Sequence, residues 1–292
     1  MNKIKSLAVA VALAVAAGSA HADIATGATG NGELFLSVWD KVGQQSYIRD
    51  LGISVNAFGT LNAPTQTAAA PGSFVNYVDG VGGFTQSWAT DATWGTFTAG
   101  KTAADISNFV YDVYAMDSAG SSAFQQVRYL TTTNADLTAW ATTSGTQFQN
   151  GQVTSMALVN NYLDQANLDD TQTVGVGAAN NTANGSGIFT GGIAYMGNGA
   201  KLETWGANTN FLTTATVGSA VDFYYITRSS STNTQEARAY QYGNTAGDAT
   251  FLLANDGTLT YQVAAVPEAE TWAMFGAGLL MVGAIARRRM AS

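Results

Sequence analysis

The chain has 292 residues, with 20 acidic side chains against 12 basic ones, and charged residues make up only 11% of it. It holds no cysteine and one histidine, His21. A fold without cysteine does not rest on disulfides. Once His21 is discounted, Ser-His-Asp and Cys-His nucleophilic machinery and ordinary zinc, copper and haem ligation are excluded as well.

His21 is discounted because of the first 22 residues. Lys3 and Lys5 precede an apolar stretch from Leu7 to Ala17, and Ala20-His21-Ala22 has the A-x-A form of a cleavage site. This three-part layout predicts a signal peptide read by the Sec export machinery and cut after Ala22, so the site residues are Ala20 and Ala22. Residues 23–265 then form the body. Without Glu268 and Glu270 the acids number 18, and without Lys3, Lys5, Arg287, Arg288 and Arg289 the bases number 7, so the body carries about −11. Such a surface repels phosphate backbones, and no nucleic-acid partner is expected.

The body reads as strands. In "ELFLSVWD", Leu34, Leu36 and Val38 alternate with Phe35, Ser37 and Trp39, and "QSYIRDLG" follows a "KVGQ" turn, which predicts a hairpin. "ISVNAF", "SFVNYV", "FTQSWAT", "WGTFTAG", "FVYDVYAMDS" and "FQQVRYLTTT" continue the pattern. Next, "GQVTSMALVNNYLDQANL" sets Met156, Val159, Tyr162 and Leu163 on one side at helical spacing and predicts a short helix over Val153–Gln165. The stretch from Asp169 to Gly185, rich in Gly, Asn and Thr, reads as a long surface loop and a possible seam between two halves. Its Asn180-Asn181-Thr182 and Asn184-Gly185-Ser186 have the N-x-[ST] form of a glycosylation acceptor. "KLETWGA", "AVDFYYITRS", "EARAYQYG", "ATFLLA" and "TLTYQVAA" complete the strands, the last two flanking Asn255-Asp256-Gly257, a hairpin signal because such residues tolerate positive φ. Many short strands with little helix predict a mainly β fold, an antiparallel β-sandwich of jelly-roll type. A transmembrane barrel is disfavoured, because sustained ten-residue alternation is missing.

The tail differs from everything before it. Val266-Pro267-Glu268 leads into Trp272–Ala286, 15 residues without charge, and then Arg287, Arg288 and Arg289. A span of that length falls short of the roughly 20 residues a bilayer core needs. Trp272 at one interface, snorkelling arginines at the other and local thinning make up the difference. The arginines hold their end in the cytoplasm, which leaves the body outside the inner membrane.

Val266-Pro267-Glu268, the apolar helix with its Trp-Ala-Met opening and the arginine cluster together resemble the PEP-CTERM sorting domain of Gram-negative bacteria, over about the last 25 residues. The family's usual second proline is Ala269 here. The resemblance implies recognition by an exosortase, a membrane transpeptidase-like enzyme. It further implies removal of the tail near Pro267-Glu268, a transient stay in the inner membrane, and delivery to the cell surface or extracellular matrix. A role beside exopolysaccharide in biofilm is the usual company of such proteins. Pro267 lacks an N–H and disfavours helix at the preceding residue, which keeps the motif extended.

The body's own chemistry is sparse. Asp112 with Asp117, and Asp169 with Asp170, are the carboxylate pairs a glycoside hydrolase would need. Asp112 and Asp117 are an odd number of residues apart, so a regular strand points them to opposite faces. No cofactor is assigned; calcium is the candidate that the Asp, Asn and turn carbonyls suggest, with "NYVDGVGG" (Asp79-Gly80) and "NLDDTQT" as candidate loops, though neither fits an EF-hand or the nonapeptide calcium repeat. Trp39, Trp88, Trp94, Trp140 and Trp205 are candidates for a sugar-stacking platform, most of them expected in the core. The expectation is therefore a non-enzymatic surface or matrix protein, with no catalytic or metal-ligating residues assigned. A two-carboxylate carbohydrate-active enzyme and a sugar- or calcium-binding module on the same sandwich are the alternatives.

Overall fold

The computed structural model describes residues 24, 32–55, 75–76, 84–117, 128–133, 163, 176–180, 186–190, 196, 213–228, 237–244, 247–264, 278–282 and 287. Strands dominate. The sheet is built from β1 (Glu33–Asp40), β2 (Gln45–Ser54), β3 (Val75–Asn76), β4 (Phe84–Trp88), β5 (Val110–Asp117), β6 (Arg128–Thr132) and β7 (Val176–Asn180). It continues with β8 (Ser186–Phe189), β9 (Ala215–Thr216), β10 (Ala220–Arg228), β11 (Ala237–Asn244), β12 (Gly247–Asp248), β13 (Thr250–Leu253) and β14 (Leu259–Val263). Two short helices, α1 (Ala92–Phe97) and α2 (Ala103–Ile106), lie between β4 and β5.

The strands run in the order β4-β14-β13-β10-β6-β5-β1-β2-β8-β7, with β11, β12, β3 and β9 attached as branches. Every pair is antiparallel except β11 with β3. The curl comes from β10, which changes partner along its length. Ala220–Asp222 pair with β13, whereas Phe223–Thr227 pair with β6 and Tyr224–Arg228 with β11. One long strand thus joins the β13-β14-β4 panel to the β6-β5-β1-β2 panel and folds one toward the other. The strand read in "AVDFYYITRS" is central to the sheet, with three partners.

The space enclosed by the curl is apolar. Leu36 and Val38 of β1, Tyr111 and Val113 of β5, Phe223 of β10, Phe251 of β13 and Leu259 and Tyr261 of β14 meet there. Aromatic rings tile it, with Phe223–Phe251 centroids 4.8 Å apart and T-shaped, and Phe251–Tyr261 4.9 Å apart. Such offset and edge-on contacts are the favoured arrangements of ring quadrupoles. Trp94 and Phe97 of α1, with Phe109, join the same cluster.

The opposite face of the central strands is buried too. Phe35, Ser37, Asp112, Tyr114, Met116, Tyr129, Thr131, Tyr224 and Ile226 all have relative exposures of 6% or less. Part of their cover is Met196, whose backbone N–H donates to Ser46 Oγ and whose sulfur accepts from Ser37 Oγ. The alternation in "ELFLSVWD" therefore separates two buried layers, not an inner face from a wet one.

Several sequence expectations change. "WGTFTAG" is not a strand. Asp91 caps a helix at Ala92–Phe97, its Oδ1 accepting the Trp94 N–H at 2.8 Å, and local capping overrides the aromatic alternation. "QSYIRDLG" and "ISVNAF" do not form two strands, because β2 runs on through Gly52, at φ +67°, to Ser54. The loop expected over Asp169–Gly185 contains β7, which pairs with β8, and β8 pairs with β2. Backbone pairing there overrides a composition of small polar residues, and it makes the sheet continuous across the proposed seam. Of the helix expected over Val153–Gln165, only Leu163 is among the described residues; it is helical and buried. The expected signal segment 1–22 and "KLETWGA" lie outside the described residues.

Candidate functional site

The tail carries the residues with the most specific sequence reading. Ala20, Ala22, Val266, Pro267, Glu268, Arg288 and Arg289 lie outside the described residues. Within the tail, residues 278–282 are helical and Arg287 is helical and exposed. Leu279, Leu280, Met281 and Val282 are 60%, 77%, 66% and 65% exposed. Four consecutive residues cover a full turn of an α-helix, so apolar side chains are exposed all round the axis. A helix packed on the core would hide one face. Among the described residues no helix is long and apolar enough to cross a membrane. The body ends close by: β14 stops at Val263, itself in the core, and Val266 follows three positions on.

In the body, the charged groups with the best-defined geometry are structural. Tyr47 of β2 donates its hydroxyl to Asp91 Oδ2 at 2.8 Å. Arg49, two residues along the same strand, sits with Nε 3.7 Å from that oxygen and donates from Nη1 to the Ala89 carbonyl. Both charged side chains are 6% exposed. Burial, reinforced by the Asp91 charge, pushes the Tyr47 hydroxyl well above its ordinary value. The neighbouring Ser186 hydroxyl of β8 donates to Thr93 of α1. The network pins the start of α1 to β2 and β8. Sequence reasoning missed it; the available signal was Asp91 three residues before Trp94, an N-cap spacing.

A second buried acid, Asp40, closes the β1–β2 hairpin. Its Oδ1 accepts the backbone N–H groups of Val42 and Gly43, and its Oδ2 accepts from Lys101 Nζ. Capping also decides α2, where Thr102 and Asp105 accept from each other's backbone N–H groups. The Thr102 N–H and hydroxyl hold the exposed Asp105 carboxyl below its usual range.

Of the carboxylates paired from sequence, Asp112 alone has a described side chain. Asp112 is fully buried on the second face of β5, opposite Ser37, and its charge adds to the burial that raises the Tyr114 hydroxyl. The Asp117 backbone pairs with Arg128 at the far end of β5. Asp169, Asp170 and Asp79 lie outside the described residues. A different pair does approach: burial, then the charge of Asp248, raises the half-buried Asp222 carboxyl, while Gln241 hydrogen-bonds to it and lowers it. Among the described residues no three His, Cys, Asp or Glu side chains are grouped to hold a metal ion.

The tryptophans do not form a common platform among the described residues. Trp94 is buried at 3% exposure. Trp88 is half-buried, donates Nε1–H to the Leu51 carbonyl and stacks on Phe251. Trp39 is half-buried beneath Lys41, whose Nζ lies 4.8 Å from the ring centre. Trp140 and Trp205 lie outside the described residues. Comparison with family models, curated proteins and solved structures finds no match to this chain.

Proposed function

We propose that this chain is an exported surface or matrix protein, sorted and processed by an exosortase through its C-terminal tail. The body is a jelly-roll-like sandwich that acts without catalysis, in exopolysaccharide-associated structure or adhesion. The observation that carries the reading is the exposure of Leu279–Val282 around a whole helical turn. Contiguous exposed apolar side chains of this kind mark a membrane or protein contact. The signal-peptide layout, Val266-Pro267-Glu268 and the three arginines give that contact its direction: the helix halts the chain in the inner membrane, and the motif sits at the outer interface. Processing there releases the body.

The test is expression of the full chain, tagged within the body, in a host with and without an exosortase. With the enzyme, the tagged protein should reach the surface or the medium, shorter than its precursor by the tail. Mature protein that still contains Arg287 to Arg289 when the enzyme is present would refute the sorting reading.

A further inference from the structure

We infer that Lys101 and Asp40 are the two halves of a self-modification site, where the folded chain joins them in an intramolecular isopeptide bond. Lys101 Nζ lies 2.5 Å from Asp40 Oδ2, closer than the roughly 2.7–2.9 Å of an ammonium–carboxylate hydrogen bond. The Asp40 side chain is 3% exposed and that of Lys101 22%. Nζ also lies 5.5 Å from the centre of the Phe109 ring, and Phe109 belongs to the core. Gly43 leaves room for the approach, since a Cβ there would lie 2.9 Å from both Asp40 Cγ and Lys101 Nζ.

The other carboxyl oxygen is held for the same reaction. Asp40 Oδ1 accepts the Gly43 N–H at 2.8 Å and the Val42 N–H at 3.1 Å. Two backbone donors on the oxygen that is retained form an oxyanion hole for acyl transfer. One ammonium proton passes along the hydrogen bond to Oδ2, which sets a neutral amine beside a carboxylic acid. The Nζ lone pair then attacks Cγ, and the charge that develops on Oδ1 is met by the Val42 and Gly43 N–H groups. A second proton moves from nitrogen to Oδ2, the carbonyl re-forms, the Cγ–Oδ2 bond breaks and one water leaves. Nζ keeps one hydrogen, so atoms and charge balance without another reactant. Holding amine and acyl carbon together is worth an effective concentration of about 10⁵–10⁸ M, which offsets the cost of condensation in water. The bond ties positions 61 apart, from the end of β1 to the segment between α1 and α2. It gives a chain without cysteine the kind of constraint a disulfide supplies.

The test is mass spectrometry of the full chain, purified in non-ionic detergent, checked for folding by far-UV melting, then denatured and digested with trypsin. Trypsin cuts after Lys41, Arg49, Lys101 and Arg128, but not after a lysine whose amine is acylated. The wild type should give a branched peptide that joins the fragment ending at Lys41 to residues 50–128, lighter than their sum by one water. Tandem fragmentation should place the link between Asp40 and Lys101. Lys101→Arg keeps a cation whose guanidinium stays protonated and does not attack, and Asp40→Ala removes the acyl group. Both variants should lose the branched peptide and be cut after position 101. A wild type that melts cooperatively yet is still cut after Lys101 following prolonged incubation holds only an ion pair and overturns the proposal. A water loss that persists in either variant belongs to other residues and overturns it as well. None of these outcomes bears on the sorting tail.

Discussion

Asp91 shows how one side chain holds three pieces of chain at once. It caps α1, accepts the Tyr47 hydroxyl and faces the buried Arg49 guanidinium. Asp91→Ala removes the cap, worth about 1 kcal/mol, and strands a buried cation, worth about 3–5 kcal/mol, with the two losses overlapping. We expect a loss of about 3–5 kcal/mol in urea unfolding. Asp91→Asn keeps an acceptor for the Trp94 N–H and should lose less. Asp50 gives a prediction with the opposite sign. Its carboxyl is pushed up from 3.8 to about 6, first by burial and then by Glu33, against the Gly52 N–H and Arg49. The folded state therefore prefers the neutral acid. Below 3.8 both states are protonated and nothing is lost. Between 3.8 and about 6 the unfolded chain ionises first and stability falls as pH rises; above about 6 the whole cost is present. Asp50→Asn keeps an oxygen for the Gly52 N–H and removes the charge. Its melting temperature should exceed that of the wild type at pH 7.5, and the gap should close by pH 4. A gap that widens in acid would contradict this.

At the scale of elements, the β13–β14 hairpin depends on one glycine. Gly257 has φ +87°, and a Cβ there would lie 2.5 Å from the Trp94 ring. The turn is closed by the Gly257 N–H to the Ala254 carbonyl and the Thr258 N–H to Asp256 Oδ1. Gly257→Ala must therefore strain the backbone and displace a core tryptophan, a cost of about 2–4 kcal/mol. Gly52, at φ +67° with open space around it, is the contrast. Gly52→Ala should cost only backbone strain, about 1 kcal/mol. Chemical denaturation of the two variants separates the effects. The hairpin was legible in sequence because Asp-Gly encodes its own turn locally. The strands β1, β5, β10 and β14 were legible for the same kind of reason, since β-branched and aromatic runs between turn residues need no distant partner to be recognised. α1 was not legible, because six residues are too few to establish a period, even though Trp94 and Phe97 have helical i, i+3 spacing, and the cap at Asp91 decides. β7 was hidden because Val-Gly-Ala-Ala-Asn has no strand propensity of its own and owes its form to pairing with β8. The burial of both sheet faces was also out of reach. Alternation reports that two faces differ, and Ser37 and Asp112 gave no sign that other chain would cover them.

The whole molecule divides at the end of β14, and that division constrains any processing of the tail. β14 is an interior strand, flanked by β13 and β4, and its Leu259, Tyr261 and Val263 side chains are buried in the core. Each contributes about 1.5–3 kcal/mol by burial, so together they rival the total stability of about 5–15 kcal/mol expected of a domain. The strand also holds β4 in place through five backbone pairs, from Leu259↔Trp88 to Val263↔Phe84. Cleavage anywhere before Val263 would remove core side chains and release β4. The exposed residues Leu279–Val282 contribute nothing of that kind to the body. A chain truncated after Ala264 should therefore unfold at the same urea concentration as one that ends after Glu270. A chain truncated after Thr258 should show no cooperative transition. If the tail is processed as proposed, the same constraint sets the mature C-terminus beyond Val263, which intact-mass measurement of the released protein reads directly. A folded, released form ending within residues 259–263 would show that the core does not need β14, and would break the link between the sheet and the position of the proposed sorting motif.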